Sequence, residues 1–542
     1  MGSRSLWEPL DRSPRDGRLL TTWEGDAFRS WTWDDWRRRA DAIAAGLCSR
    51  GVRPGEPVAC VITNGFEACA TVLGVWLAGG QLVSLPLIAR GMKPDAYARQ
   101  LRRLVTACGA TTLLADAAVA PLLESLDLPL APGAFQDLRG RGAVEPDPPP
   151  ADAPAFVQYS SGSTSDPRGC VLTPAAVAAQ LSALERHLAF EPGHDAVYSW
   201  LPLSHDMGLF GTALLAYWTG TPLVLGTPER FLRDPRTWFE DCATFGVTTS
   251  VAPCFALDLA TRAASHRAPP PFALERLVIG GDHIDARTLR GATELFGPDR
   301  LPWHALVPAY GLAEAVLAVT LTELRRGPRM VDVDAAALEE GAVEPVADGR
   351  EPASGRTATL VSSGTPIPDV ELVAPTDEVA EIVVSSPWLA RGYLGEPGLT
   401  RERFTGDGLR TGDLGFVRDG ALYVTGRSDD LFQLGGRNLY AADIEGAIAQ
   451  VEDVRPGRCA VVPLRDGAVP LLVALVEASR PHRPAEALAR DVKAAALDNV
   501  GVRIAECVLV PRGTLPKTPS GKLQRFRCRA LADELLQGDH RG

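Results

Sequence analysis

A chain of 542 residues with 46% hydrophobic and 23% charged side chains has the length for several cored domains and the composition of an ordinary globular protein. Its net charge of −12 excludes a general nucleic-acid binder, which needs a basic face, while leaving room for a local basic patch. Its ten cysteines stand far apart, none in a Cys-x-x-Cys pair, so they read as buried thiols of a reducing, cytoplasmic compartment rather than zinc ligands or disulfides.

In chain order, the N-terminus lacks the apolar core of a signal peptide, and Met1-Gly2 lacks the downstream hydroxyl of a myristoylation site. Thr32-Trp33-Asp34-Asp35 predicts a capping box opening a helix whose inner face is Trp36, Ala40, Ile43 and Leu47. Ala68 to Ala89 is uncharged and long enough to raise the question of a membrane span. Gly79-Gly80-Gln81 and Pro86 interrupt it, and a buried helix, a turn and a strand are expected instead. Apolar runs at Val58–Ile62, Phe156–Tyr159, Leu223–Leu225, Leu277–Ile279 and Ile382–Val384 read as strands. Helical stretches separate many of them, so the expected class is α/β with largely parallel sheets. Ala143 to Pro154 is proline-rich and reads as a linker or extended crossing between layers.

Residues 159–169, Tyr-Ser-Ser-Gly-Ser-Thr-Ser-Asp-Pro-Arg-Gly, form a hydroxyl- and glycine-rich loop ending in a cation. Thr173-Pro174 then supplies an N-cap and first-turn pair. A strand, such a loop and a helix start can wrap a polyphosphate through N–H groups, hydroxyls and the Arg168 charge. The spacing is not that of a Walker P-loop, and by itself such a stretch is more often a flexible surface connection. Near residue 428 the pattern changes. Strands at Cys459–Val462 and Leu471–Val476 flank the turn Arg465-Asp466-Gly467. A helix over about 484–499 and a strand at Cys507–Val510 complete a small α+β unit. The expected division is a large N-terminal domain, 1–428, and a small C-terminal one, 429–542.

Four further segments have unusual composition for plain packing: Tyr310-Gly311-Leu312-Ala313-Glu314, Leu409 to Gly415 around Asp413, Tyr423 to Asp430 around Arg427, and Leu515 to Arg525 around Lys522. Taken singly, each admits a structural reading as a helix cap, a turn former or a solvated lysine. Together with the 159–169 loop, in this order, they resemble the adenylate-forming superfamily of acyl-CoA synthetases, peptide-synthetase adenylation domains and luciferases, from about residue 20 to 530. The resemblance implies layered mixed β-sheets flanked by helices, with a small α+β C-terminal domain. It also implies ATP and Mg²⁺, formation of an acyl-AMP with release of pyrophosphate, and transfer of the acyl group to a thiol.

By position in the family motifs, Lys522 is expected to bridge the substrate carboxylate and the α-phosphate. Glu314 is a catalytic residue and, with Thr164, a Mg²⁺ ligand; His205 is a further catalytic candidate. Ser160, Ser161, Gly162, Ser163, Thr164 and Arg168 are expected on the phosphates, and Tyr310 and Gly311 on adenine with Gly281 and Asp282 at its edge. Asp413 is expected on the ribose, Arg427 on ribose or phosphate, and Asp429 at the hinge between domains. Trp200 to Leu209, Ala252 to Ala256, Gly436 to Tyr440 and an insertion from Val331 to Gly364 resemble the fatty acyl-AMP ligase branch in particular. That branch implies an acyl carrier protein as acceptor, with Lys522, Arg525, Arg527 and Arg529 as a candidate docking patch. An acyl-CoA ligase, an amino-acid adenylating enzyme suggested by Asp206, and a non-catalytic nucleotide binder are the alternatives. Ser165, Arg168, Ser204 and Gly281-Asp282 depart from the family pattern.

Overall fold

In the computed structural model of the chain, residues 4–11, 19–88, 92, 94–140, 147–159, 167–347, 350–434, 437–466, 469–478, 484–518 and 521–539 are described. The helix Trp33–Ser49 opens with the capping box: Thr32 accepts from the Asp35 N–H and the Asp35 carboxylate from the Thr32 N–H. Its Trp36, Ala40, Ile43 and Leu47 are buried. It packs on the helix Phe66–Leu77, where a Cβ on Gly74 would lie 2.6 Å from Ile43 Cγ2, so glycine permits the close crossing. The uncharged 68–89 stretch is this helix plus the buried strand Gln81–Leu85. Among the described residues no helix is long and apolar enough to cross a membrane.

Two large sheets form the scaffold. One has six strands, in the order Pro132–Ala134, Thr112–Ala115, Pro57–Val61, Gln81–Leu85, Phe156–Tyr159, Gly169–Leu172, all parallel except the last pair. The other has nine. Its centre, Leu306–Gly311, Arg276–Ile279, Thr249–Ala252, Val197–Ser199, Leu223–Leu225 and Leu19–Trp23, is parallel, and antiparallel strands close both edges. Val251, Leu277, Ile279 and Leu306 are buried, as strands covered on both faces require.

The structure departs from the expected largely parallel pattern in two places. Ile382–Val384 belongs to the strand Ala380–Ser385 of an antiparallel sheet with Glu371–Val373, Gly408–Arg418 and Ala421–Arg427. A tight turn joins Gly408–Arg418 to Ala421–Arg427, as antiparallel neighbours allow, while the longer connection from Ala380–Ser385 to Gly408–Arg418 carries the short helix Pro397–Arg403. The second departure follows the hydroxyl-rich loop. An extra strand, Gly169–Leu172, runs back against Phe156–Tyr159 before the helix Pro174–Leu188 begins, so the loop is a hairpin connection and does not run directly into a helix N-terminus. Thr173 caps that helix by accepting from the Ala176 N–H. Residues 160–166 lie outside the described residues, as does 141–146 of the proline-rich stretch.

The insertion is a hairpin, Met330–Asp334 against Thr357–Val361, carrying the short helix Ala335–Glu339. Its buried Val333 shares a cluster with Phe416, Ala421 and Tyr423. Beyond residue 428, a three-stranded sheet of Val454–Asp466, Val469–Ala478 and Glu506–Val510 separates two apolar clusters. Alternation along one strand sends Cys459 and Val461 to the helices Ala441–Ile448 and Ala485–Val500. Ala460, Val462 and Leu464 go to the helix Arg525–Asp539 on the other face. All ten cysteines are free, and all but Cys48 and Cys507 are buried.

Candidate active site

Between the nine-stranded sheet and the C-terminal unit lies a cleft with two unlike walls. The polar wall begins where the strand Leu306–Gly311 ends. Tyr310 donates to Asp413 Oδ2 at 2.6 Å. Burial, and then the Asp413 charge, push the Tyr310 phenol well above its ordinary range, so it stays a hydrogen-bond donor. Asp413 sits opposite Arg427 in the hairpin register, and Arg427 Nε stands 3.4 Å from Asp413 Oδ1. Gly412, at φ +74° within the strand Gly408–Arg418, takes a backbone conformation that favours glycine directly before Asp413, and its N–H donates to Glu381 Oε1 at 2.9 Å. The buried Arg427 Nε makes no hydrogen bond among the described residues, so its tie to Asp413 is an ion pair alone.

Glu314 lies in the 3₁₀ turn Ala313–Ala315, immediately before Val316, a β-branched residue held at φ +62°. Its Oε1 accepts from the Tyr393 hydroxyl at 2.8 Å. The Arg168 guanidinium stands 5.9 Å from the Tyr393 ring centroid. Backbone bonds from Leu394 N to Gly169 O and from Val171 N to Gly392 O tie this segment to the strand after the hydroxyl-rich loop. Tyr393 therefore links Glu314 to Arg168. Its setting in Arg391-Gly392-Tyr393-Leu394, an aromatic beside a glycine at the end of an apolar run, was the signal available in sequence.

Lys522, His205, Asp206 and Gly281 meet at the mouth of the cavity that also touches Tyr310 and Gly311. A Cβ on Gly281, at φ +81°, would lie 3.3 Å from Lys522 Nζ, so glycine keeps that approach open. Gly521 packs as closely on the Phe255 ring and seats the lysine loop against the large sheet's layer. Asp206 Oδ1 is 2.5 Å from His205 Nδ1 and accepts from the Met207 N–H at 2.7 Å. Burial opposes ionisation of Asp206, but His205 and then Lys522 hold its carboxyl below the usual range. Its anion is thus committed within the protein.

Other charged residues are equally committed. Asp282 accepts from the N–H groups of Cys254 and Phe255, at 2.7 and 3.1 Å, and so caps the helix Cys254–His266. Burial raises its carboxyl pKa, and those two N–H donors pull the other way. Arg525 donates to Glu445 at 2.6 Å and Asp430 at 3.2 Å, with its side chain largely buried. It therefore drops out of the surface patch read at Lys522, Arg525, Arg527 and Arg529, because its charge is already paired inside the C-terminal unit. Asp429 occupies the 3₁₀ turn Ser428–Asp430 directly after the strand Ala421–Arg427, and its side chain lies outside the described residues. Ser160, Ser161, Gly162, Ser163 and Thr164 lie outside them too.

The second wall is apolar and was not read from the sequence. From the mouth the cavity runs along the face of the nine-stranded sheet between Val278 and Val251 on the strands and Leu184, Leu188 and Leu317 opposite. Its empty space, counting the part open to solvent, is about 750 Å³. A site with one polar end and one apolar body can hold a carboxylate at the mouth and its hydrocarbon within.

The AMP-binding enzyme family matches residues 8–394. The long-chain-fatty-acid–AMP ligase FadD26 of Mycobacterium marinum is 32% identical over 536 residues, covering 92% of this chain and 90% of the relative. The 4-hydroxyphenylalkanoate adenylyltransferase of the same organism is 31% identical, covering 92% of this chain and 85% of the relative. A solved structure from work on the fatty acyl-adenylate ligases of E. coli and L. pneumophila superposes with a TM-score of 0.86 at 26% identity, covering 99% of this chain and 98% of that one. Fold, site and relatives agree: the chain belongs to the AMP-binding enzyme family and is an adenylate-forming ligase.

Proposed function

We propose that this enzyme activates a fatty or related acyl acid with ATP and passes the acyl group to the phosphopantetheine thiol of an acyl carrier protein. The observation that carries the reading is the junction at Lys522, where a polar wall and an apolar cavity share one mouth. In the first step a carboxylate oxygen bonds to the α-phosphorus while the bond to pyrophosphate breaks. Two anions at about 4 Å repel by about 4 kcal/mol at an effective dielectric near 20. A cation fixed beforehand at their meeting point removes that cost in the transition state. Lys522 is that cation, and the His205–Asp206 pair beside it orients the mouth. In the second step the thiol sulfur attacks the acyl carbon and AMP leaves.

On the polar wall, Asp413 receives the ribose hydroxyls, held in place by Tyr310 and Arg427, and the Arg427 guanidinium reaches ribose or phosphate. The Tyr310 ring, fixed through its hydroxyl, flanks adenine. At the base's edge the contact falls to the backbone of Gly281 and Asp282, since the Asp282 carboxylate is engaged as a cap. Ser160, Ser161, Gly162, Ser163, Thr164 and Arg168 take the departing pyrophosphate. Glu314, whose remaining oxygen is a hard donor, fits Mg²⁺, and Thr164 is the second proposed ligand by its place in the family motif. Bound there, the ion would neutralise phosphate charge. The division falls at 428/429, and rotation about Asp429 carries the C-terminal domain between the two half-reactions.

The acceptor is tested by supplying ATP and a fatty acid with either a phosphopantetheinylated carrier or free coenzyme A. Thioester on the carrier supports the reading. Efficient thioester formation with coenzyme A alone replaces the carrier by an acyl-CoA ligase activity.

A further inference from the structure

The apolar cavity has a floor, and its construction sets a length. On the nine-stranded sheet Val197, Thr249 and Arg276 are paired in register, and Val251 pairs with Val278 two residues further along. Side chains two apart share a face, so Arg276 stands on the cavity face one layer below Val278. Between Gly280 at the mouth and the level of Arg276, in register with Thr249 and Val197, which line the cavity, the strand rises roughly 13 Å, at about 3.3 Å per residue.

The floor is rigid. Arg276 is 2.7 Å from Asp195 in a buried ion pair, and Asp195 also accepts from Thr248 Oγ1 and from the Glu191 N–H. Arg276 further donates toward Thr249 Oγ1 and the Ala189 carbonyl. A hydrocarbon end cannot displace so well-satisfied a pair. Phe190 lies over it, with the Arg276 guanidinium 5.6 Å from its ring centroid and the cavity on its other side. Phe190 is aimed there by the end of the helix Pro174–Leu188, where Ala189 takes the left-handed conformation at φ +47°. Such a conformation is sparsely populated for a residue other than glycine, and here the Arg276 bond to its carbonyl helps hold it.

We infer that Phe190, backed by the Arg276–Asp195 pair, is the specificity-determining residue that limits the length of the acyl chain. This rests on the acyl-adenylating reading above and deepens it: the cavity takes an unbranched aliphatic chain without a polar far end. Each methylene placed between mouth and floor adds about a fourfold gain. The gain ends where the chain meets the ring.

The test is kcat/KM for pyrophosphate release over a series of unbranched acids of increasing length, in the unaltered protein, Phe190→Ala and Phe190→Trp. The expected profile climbs about fourfold per methylene and then falls at least tenfold within a few carbons. Phe190→Ala moves the fall to longer acids and Phe190→Trp to shorter ones, so either variant alone reports on the ruler. A fall at the same length in all three proteins overturns the ruler while leaving adenylation intact. No acid-dependent release from the unaltered protein with any acid overturns adenylation itself, and the ruler with it.

Discussion

The two walls of the cleft are built by different physics. On the nucleotide side, hydrogen bonds of 2.6 and 2.8 Å join Tyr310 to Asp413 and Tyr393 to Glu314, and Arg427 is ion-paired with Asp413 at 3.4 Å, so removing one atom pair changes a defined interaction. On the acyl side Leu184, Val197, Val251, Val278 and Leu321 contribute only shape and apolar surface, and the interaction is graded in methylenes. Lys522 stands where the two meet. The difference teaches that losses on the polar wall should be steep and specific to one substrate. Changes in the apolar cavity should be gradual and shift which acid is preferred.

The largest expected effect is at the junction. Lys522→Ala should slow adenylation by roughly 10²-fold or more with any acid, as loss of one oriented transition-state donor does. Acid-dependent pyrophosphate exchange measures it, and an unchanged rate removes Lys522 from the chemistry. Next, Asp413→Ala strips the acceptor of Tyr310 and Arg427. A bond to a charged group contributes about 1.5–3 kcal/mol, so kcat/KM for ATP should fall about 10- to 100-fold with the preference among acids unmoved. A changed acid preference would blur the division between the walls. Tyr393→Phe deletes one bond to Glu314 and should cost about tenfold in kcat/KM for ATP, the low end of that range.

The smallest effect lies behind the polar wall, in the hairpin insertion. The Asp334 carboxylate accepts from the N–H groups of Ser354, Ala336 and Ala337, and the Ser354 bond above all holds its pKa down to about 2 from an ordinary 3.8. A depressed carboxyl contributes its stability in full above 3.8 and loses it as pH falls through about 2. The Tm difference between the unaltered protein and Asp334→Asn should therefore be flat at neutral pH and shrink only in that acid window. A difference that shrinks near neutrality would point to another group.

The same contrast explains what was legible in the sequence. The polar residues sit in short contiguous segments at strand ends and beside glycines, because a fixed carboxylate or cation beside glycine is a local solution, and such segments leave a pattern. The cavity's residues are scattered over strands and helices from 184 to 321, and each is indistinguishable from ordinary core until the register pairs Thr249 with Arg276 and Val251 with Val278. The capping box at Thr32, the N-cap at Thr173 and the buried strands were readable from local chemistry. The antiparallel setting of Ala380–Ser385 and the extra strand Gly169–Leu172 were not, since an apolar run looks alike in either pairing. Asp282 and Arg525 show the same limit. Their partners, the Cys254 N–H and Glu445, lie far away in sequence, so a charge that serves a helix cap or a buried pair resembles one free to meet a ligand.

The most direct measurement of the central claim is the product formed from ATP and a long unbranched acid with no thiol acceptor present. The account predicts acyl-AMP and pyrophosphate in equal amounts, formed by the unaltered protein and lost in Lys522→Ala. ATP consumed without an acyl-adenylate, or an adenylate formed from amino acids while aliphatic acids are refused, would contradict it.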